Sequence, residues 1–173
     1  MTRRDSAVLV PVYRDADGAL RVVLVVRGPG GIHGGQLAFP GGLREPTDAT
    51  ARETALREAF EEIGLEASRV TVLAELPPMD TRTSNFRITP ILARIERPAE
   101  WRVAPREVAE VIEPRLDDLA RPDMRGESVE RFPTWPAPRK IAFIRIGEHR
   151  LWGATYRILE PLLPRLVAGE WPI

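Results

Sequence analysis

Apolar runs of strand length alternate with turn residues through the first part of the chain. Ser6–Tyr13 (SAVLVPVY) and Leu20–Arg27 (LRVVLVVR) flank a turn at Asp15–Gly18, which predicts a hairpin of buried strands. Arg69–Leu76 predicts a further strand, broken by Pro77 and Pro78, and Phe86–Ile95 a longer one. Pro90 inside that strand predicts either an edge position or a bulge, because proline offers no N–H to a ladder. Glu107–Ile112 alternates polar and apolar as a half-buried strand does, and Lys140–Ile146 predicts a strand ending at a Gly147 turn. Between these, Pro114–Ala120 reads as a short helix and Arg121–Pro138 as an irregular, proline-rich stretch. Gly28–Gly35 holds too many glycines for a regular element and is either a mobile binding loop or a long turn.

Two segments carry a helical period instead. Leu151–Val167 gathers Leu159, Leu162, Leu163 and Leu166 and predicts a closing helix. Thr50–Gly64 has firmer bounds: Thr50 followed three residues later by Glu53 has the spacing of a capping box, and Gly64 is a natural stop, so the helix is expected over Ala51–Ile63. Leu56, Ala59, Phe60 and Ile63 fall at i, i+3, i+4 and i+7 and are the expected packing stripe, with Glu58, Glu61 and Glu62 opposite.

Those acids give the first hint of chemistry. Three carboxylates this close repel one another unless something positive lies among them. Arg57 can supply hydrogen-bonded ion pairs, and a hard divalent cation can take the remaining oxygens. A Pro40-Gly41-Gly42 turn lies upstream, where bare backbone can approach a phosphate or present a carbonyl to a metal.

Composition narrows the class. At 173 residues the chain is long enough for one domain with a full core. Lys plus Arg and Asp plus Glu are 25 each, so no net field favours nucleic acid or an anionic membrane, and an anionic ligand must be met locally. The chain has no cysteine, which excludes disulfides, thiolate metal sites and a cysteine nucleophile and suits a cytoplasmic protein. The N-terminal apolar run is too short and interrupted for a signal peptide or a membrane span. Lys140 is the only lysine, so nearly every cation is an arginine fork suited to phosphate.

The stretch FPGGLREPTDATARETALREAFEEIGL resembles the Nudix box, in which G, five residues, E and seven residues precede R-E-U-x-E-E-x-G-U, with U aliphatic. Arg57, Glu58, Ala59, Glu61, Glu62, Gly64 and Leu65 match its second half. In the first half the acid is Asp48, and the loop to Arg57 is one residue longer, a length shared by Nudix members that resemble coenzyme A diphosphatases. In that subgroup the preceding segment reads R-S-x-x-x-R-x-H-x-G-Q-V-A-F-P-G-G. Here RGPGGIHGGQLAFPGG keeps Arg27, His33, Gly35, Gln36, Ala38, Phe39, Pro40, Gly41 and Gly42 but lacks the second arginine. LPPMDTRTSNFRITP and LWGATYRIL are similar to two further segments of the subgroup.

The resemblance implies an α/β protein: an α/β/α sandwich with a mixed sheet between the box helix and the C-terminal helix. It implies Mg²⁺ or Mn²⁺ held by Glu58, Glu61, Glu62 and the Gly42 carbonyl, with Arg57 orienting the carboxylates. Glu107 or Glu110 would help hold a metal or accept a proton, or else simply face solvent. Arg27 is the first candidate for a 3'-phosphate contact, with Gln36 supporting the loop and Arg82 or Arg87 as further phosphate-binding candidates. The expected partner is a small nucleotide, without nucleic acid or membrane, bound by a monomer or homodimer. Coenzyme A is the first choice of substrate, with ADP-ribose or another nucleotide, or a catalytically silent nucleotide sensor, as the alternatives.

Overall fold

The computed structural model describes residues 3–30, 33–81, 84–133 and 135–173. The chain runs β1 (Arg4–Arg14), β2 (Leu20–Val22), β3 (Leu24–Arg27), β4 (Leu37–Ala38), β5 (Gly41–Leu43) and α1 (Ala51–Ile63). It continues with β6 (Val70–Glu75), β7 (Met79–Asp80), β8 (Phe86–Ile95), β9 (Val108–Ile112) and the single-turn α2 (Leu116–Ala120). β10 (Arg125–Glu130), β11 (Arg139–Ile146), β12 (His149–Trp152) and α3 (Gly153–Val167) complete it.

The main sheet has the order β2-β1-β8-β6, with β5 also on β1 and β7 also on β8. β1 and β8 pair in parallel and the remaining pairs are antiparallel, which makes the sheet mixed. Period-2 alternation along β1 and β8 then builds two cores. Ala7, Leu9, Ile91 and Ala93 pack with Ala55, Ala59 and Ile63 of α1, whereas Val10, Val12 and Leu92 pack with Ile158, Leu159, Leu162, Leu163 and Leu166 of α3. The expected sandwich is therefore present, with α1 and α3 on opposite faces of the sheet. Two three-stranded sheets, β4-β3-β9 and β10-β11-β12, stand beside it.

Several expectations are corrected. Leu20–Arg27 is two strands, because the chain changes sheets at Val23, whose N–H donates to the Pro11 carbonyl at 2.9 Å. β8 is central rather than an edge, and the bulge lies in its partner β6 between Val72 and Ala74. Pro90 is tolerated there because N–H and C=O of one strand residue point the same way. Its carbonyl accepts from Leu76, so its missing N–H faces the Pro77–Pro78 break between β6 and β7. The stretch expected to be irregular contains β10, and Leu151 and Trp152 belong to β12, paired with Ile144 and Phe143, so α3 starts at Gly153.

The bounds of α1 are as expected, and each end has its cap. Thr50 Oγ1 accepts from Glu53 N–H at 3.2 Å, Gly64 takes φ 68°, and its N–H and that of Leu65 return to Phe60 and Ala59. The buried face differs in part from the one expected. Ala59 and Ile63 are buried as expected and half-buried Leu56 packs against them, but Phe60 is 55% exposed, and Thr54, Ala55 and Glu62 are buried instead. Ala55 and Ala59 pack on β1 and β8, and the bare glycines of β5 take Glu58 and Glu62 against them. Accordingly, Phe60→Gln should change stability by no more than about 0.5 kcal/mol. Ile63→Ala should cost about 2–5 kcal/mol, and chemical denaturation measures both.

Candidate active site

The glycine turn and α1 meet edge to face. Gly41 and Gly42 open β5, which pairs with Ala7 and Val8 of β1, and α1 crosses against them. A Cβ on Gly41 would lie 2.4 Å from the Ala7 carbonyl oxygen, and one on Gly42 would lie 2.3 Å from Glu58 Oε1. Only glycine leaves room for bare backbone and a carboxylate side by side. Gly41 N–H donates to Glu62 Oε2 at 3.1 Å, which turns a helix acid inward onto the strand.

Arg57 ties the cluster together. Its Nε and Nη2 donate to Asp48 Oδ1 and Oδ2 at 3.1 and 2.8 Å, Nη2 also donates to the Leu43 carbonyl at 2.9 Å, and Nη1 donates to Glu58 Oε1 at 3.1 Å and Glu61 Oε2 at 3.2 Å. Asp48 is the acid whose place in the longer loop left its role open. It lies 6% exposed, and Oδ2 also accepts from Glu45 N–H and Thr54 Oγ1, each at 3.0 Å. Arg44 closes the loop onto the carbonyls of Asp48 and Ala49. The Arg57 fork holds the Asp48 carboxyl well below the usual carboxylate range, and the same bonds raise the Arg57 guanidinium.

The acids themselves differ. Burial pushes Glu62 up to about 7, against the opposing Gly41 hydrogen bond, with Glu58 and Glu107 adding like charge and Arg27 opposing it. Burial also raises Glu58, against the nearby Arg57, with Glu61 and Glu107 adding to the rise. The Glu61 side chain is half exposed. Among the described residues no three carboxylate or imidazole groups form a finished metal cage. What is present is a set of hard oxygen donors, Glu58, Glu61, Glu62 and the adjacent Gly42 carbonyl, whose mutual repulsion a divalent cation would relieve. That donor set fits Mg²⁺ or Mn²⁺.

The flanking segments bring two further residues to the acids. The backbone N–H of Gly28 donates to the Glu107 carbonyl at 2.8 Å, and Ala104 N–H caps α1 at the Glu62 carbonyl at 2.9 Å. These bonds set Arg27 and Glu107 near enough for both charges to act on Glu62. Glu107 lies in the turn before β9, not in the strand. Glu110 lies elsewhere. Val26 pairs with Glu110 and Arg27 with Val108, so Ala109 is an extra, bulged residue that puts Val108 and Val111 toward the α1 core and Ile112 toward the α3 core. Glu110 shares the Ile112 face and stands 4.0 Å from His149 Nε2.

Gln36 is half-buried at the base of the β3–β4 loop, where its carbonyl accepts from Arg27 N–H at 2.9 Å and its N–H donates to the exposed His33. Arg87 is exposed on β8, level with Asp5 and Asp80, and is separated from β5 by β1. Arg82 lies outside the described residues. Thr54, buried beneath Asp48, is the participant that sequence reasoning missed; its only signal is a hydroxyl residue on the packed side of α1, three positions before Arg57.

Comparison with known proteins agrees with this geometry. Residues 3–139 match the NUDIX domain family. An uncharacterized Nudix hydrolase, NudL, of Pectobacterium atrosepticum is 40% identical over 92% of this chain and 81% of its own. The crystal structure of RenU, a Nudix hydrolase from M. smegmatis, superposes with TM-score 0.58 at 28% identity over 69% of this chain and 75% of that one. A MutT/nudix protein of Enterococcus faecalis shares the fold over 97% of this chain and 63% of its own, with TM-score 0.62 at 16% identity. With the box helix, its glycine turn and its acids assembled in one place, the chain belongs to the Nudix hydrolase family.

Proposed function

We propose that this Nudix hydrolase cleaves the phosphoanhydride of coenzyme A or its derivatives, with Mg²⁺ or Mn²⁺ bound, to give 4'-phosphopantetheine and adenosine 3',5'-bisphosphate. The observation that carries this reading is the β3–β4 loop. The segment that resembles the coenzyme A diphosphatase motif, from Arg27 through Gln36 to Gly42, leads from the arginine that acts on Glu62 directly into the glycine turn of the acid cluster. A cytoplasmic setting suits such a substrate.

Each residue then has a task that its position supports. Glu58, Glu61, Glu62 and the Gly42 carbonyl would hold the cation, and Arg57 keeps Glu58 and Glu61 in register. The bound ion supplies charge neutralisation at the phosphate oxygens and a lower pKa for attacking water. Glu107, whose charge acts on Glu58 and Glu62, would accept a proton from the attacking water, whereas Glu110 stands across the bulge beside His149. Arg27 binds phosphate oxygens at the mouth, with Gln36 bracing its backbone, and Arg87 is left as a more distant contact. No covalent enzyme intermediate is required.

The test is a substrate series. With Mg²⁺ or Mn²⁺, kcat/KM is expected to be highest for coenzyme A, lower for dephospho-coenzyme A by about 1.5–3 kcal/mol for a lost charged hydrogen bond, and lower again for ADP-ribose. Faster turnover of ADP-ribose than of coenzyme A would overturn the substrate while leaving the family in place.

A further inference from the structure

Thr54 is fully buried on α1 and has no task in the chemistry above. Its presence there is costly twice over, because a β-branched residue is a weaker helix former than alanine and a buried hydroxyl must find a partner. Its Oγ1 lies 3.0 Å from Asp48 Oδ2 and 3.4 Å from the Thr50 carbonyl oxygen, so the carboxylate is the better acceptor. Asp48 can rotate about its last side-chain bond, and what stops it matters, since both oxygens face the Arg57 fork. The Glu45 N–H, from the loop, and the Thr54 hydroxyl, from the helix, both bind Oδ2 and pin that rotation independently of Arg57.

We propose that Thr54 is a positioning residue of the active site: its hydroxyl locks the Asp48 carboxylate in the rotation that holds the Arg57 fork, and so fixes Nη1 between Glu58 and Glu61. The chain of bonds runs from a buried helix residue, through a loop acid and Arg57, to Glu58 and Glu61, two of the carboxylates that would take the metal. It rests on the Nudix site alone, whichever phosphoanhydride is the substrate. Without the hydroxyl, Asp48 and Arg57 still attract each other, but only the Glu45 N–H is left to pin Oδ2, and the angle between their planes is less tightly set. The cost falls on the order of the metal-side oxygens more than on folding.

The test uses Thr54→Val, which keeps the shape and removes the hydroxyl, and Thr54→Ser, which keeps the hydroxyl. Mn²⁺ affinity is read without substrate from the resonance signal of the free ion, alongside kcat at saturating metal. Thr54→Val is expected to weaken Mn²⁺ binding by roughly 10-fold, the low end of what outer partners of metal ligands contribute. Thr54→Ser should recover most of that loss. In an Asp48→Asn background, Thr54→Val should add little, because the path is already cut. A lower Tm with Mn²⁺ affinity and kcat unchanged, or a full additional loss on top of Asp48→Asn, would overturn the proposal. If Thr54→Val does not fold, Thr54→Ala, a better helix former, carries the same comparison.

Discussion

Glu62→Gln should lower kcat about a thousandfold at saturating metal, a loss of about 4 kcal/mol in transition-state stabilisation, while making the metal-free protein more stable. The two effects have one cause. Glu62 is 6% exposed, and burial raises its carboxyl to about 7, so in the folded chain its charge is unwelcome until a cation arrives. The folded pKa lies above the unfolded one. Below the ordinary glutamate range both states are protonated and nothing is lost, whereas between that range and about 7 the unfolded chain ionises first and stability falls as pH rises. At about 1.4 kcal/mol per pKa unit, the full change corresponds to roughly 3 kcal/mol. Glutamine keeps an oxygen for the Gly41 N–H and removes the charge. In chelator, therefore, Glu62→Gln should unfold at higher temperature than the parent at pH 8, with the difference closing toward pH 4. Glu61→Gln, at a half-exposed side chain, should lose activity without that gain. Near-normal turnover of both variants would remove the acids from the chemistry.

What the sequence disclosed was whatever depends on near neighbours. The limits of α1 follow from Thr50, Glu53 and Gly64, all within reach of the helix ends, and the Arg57–Glu61 pair follows from i,i+4 spacing. Which side of α1 is buried follows only in part. Helical spacing placed Ala59 and Ile63 inward correctly but put Phe60 with them, whereas the helix turns Glu58 and Glu62 toward Gly41 and Gly42, a surface made by β5 pairing with the distant β1. β10 was invisible for a similar reason. Arg125–Glu130 (RGESVE) has no apolar alternation, and it becomes a strand by pairing with β11. The face that Glu110 takes turned on one bulged residue, Ala109, which leaves no mark in the pattern. Asp48 could not be given a role because its link to Arg57 depends on how the loop folds back, and only then does the burial of Thr54 beneath it make sense.

Arg57→Lys should lower kcat about a hundredfold although the charge is kept, in the range found when an outer partner of metal ligands is removed. The guanidinium serves four side chains or carbonyls at once: two nitrogens on Asp48, one of them also on the Leu43 carbonyl, and the third on Glu58 and Glu61. An ammonium group is a single point on a flexible stem. If it stays with Asp48, Glu58 and Glu61 lose their common partner; if it moves to them, a carboxylate 6% exposed is left with only neutral donors. The second outcome costs about 2 kcal/mol, or roughly 5 °C in Tm for a chain of this length. Adding Asp48→Asn separates the consequences. It removes the stranded charge, so Tm should return most of the way, but Glu58 and Glu61 remain unordered and kcat should stay low. Recovery of both together would mean that Arg57 serves the fold only, and equal activity of lysine and arginine at this position would remove its orienting role.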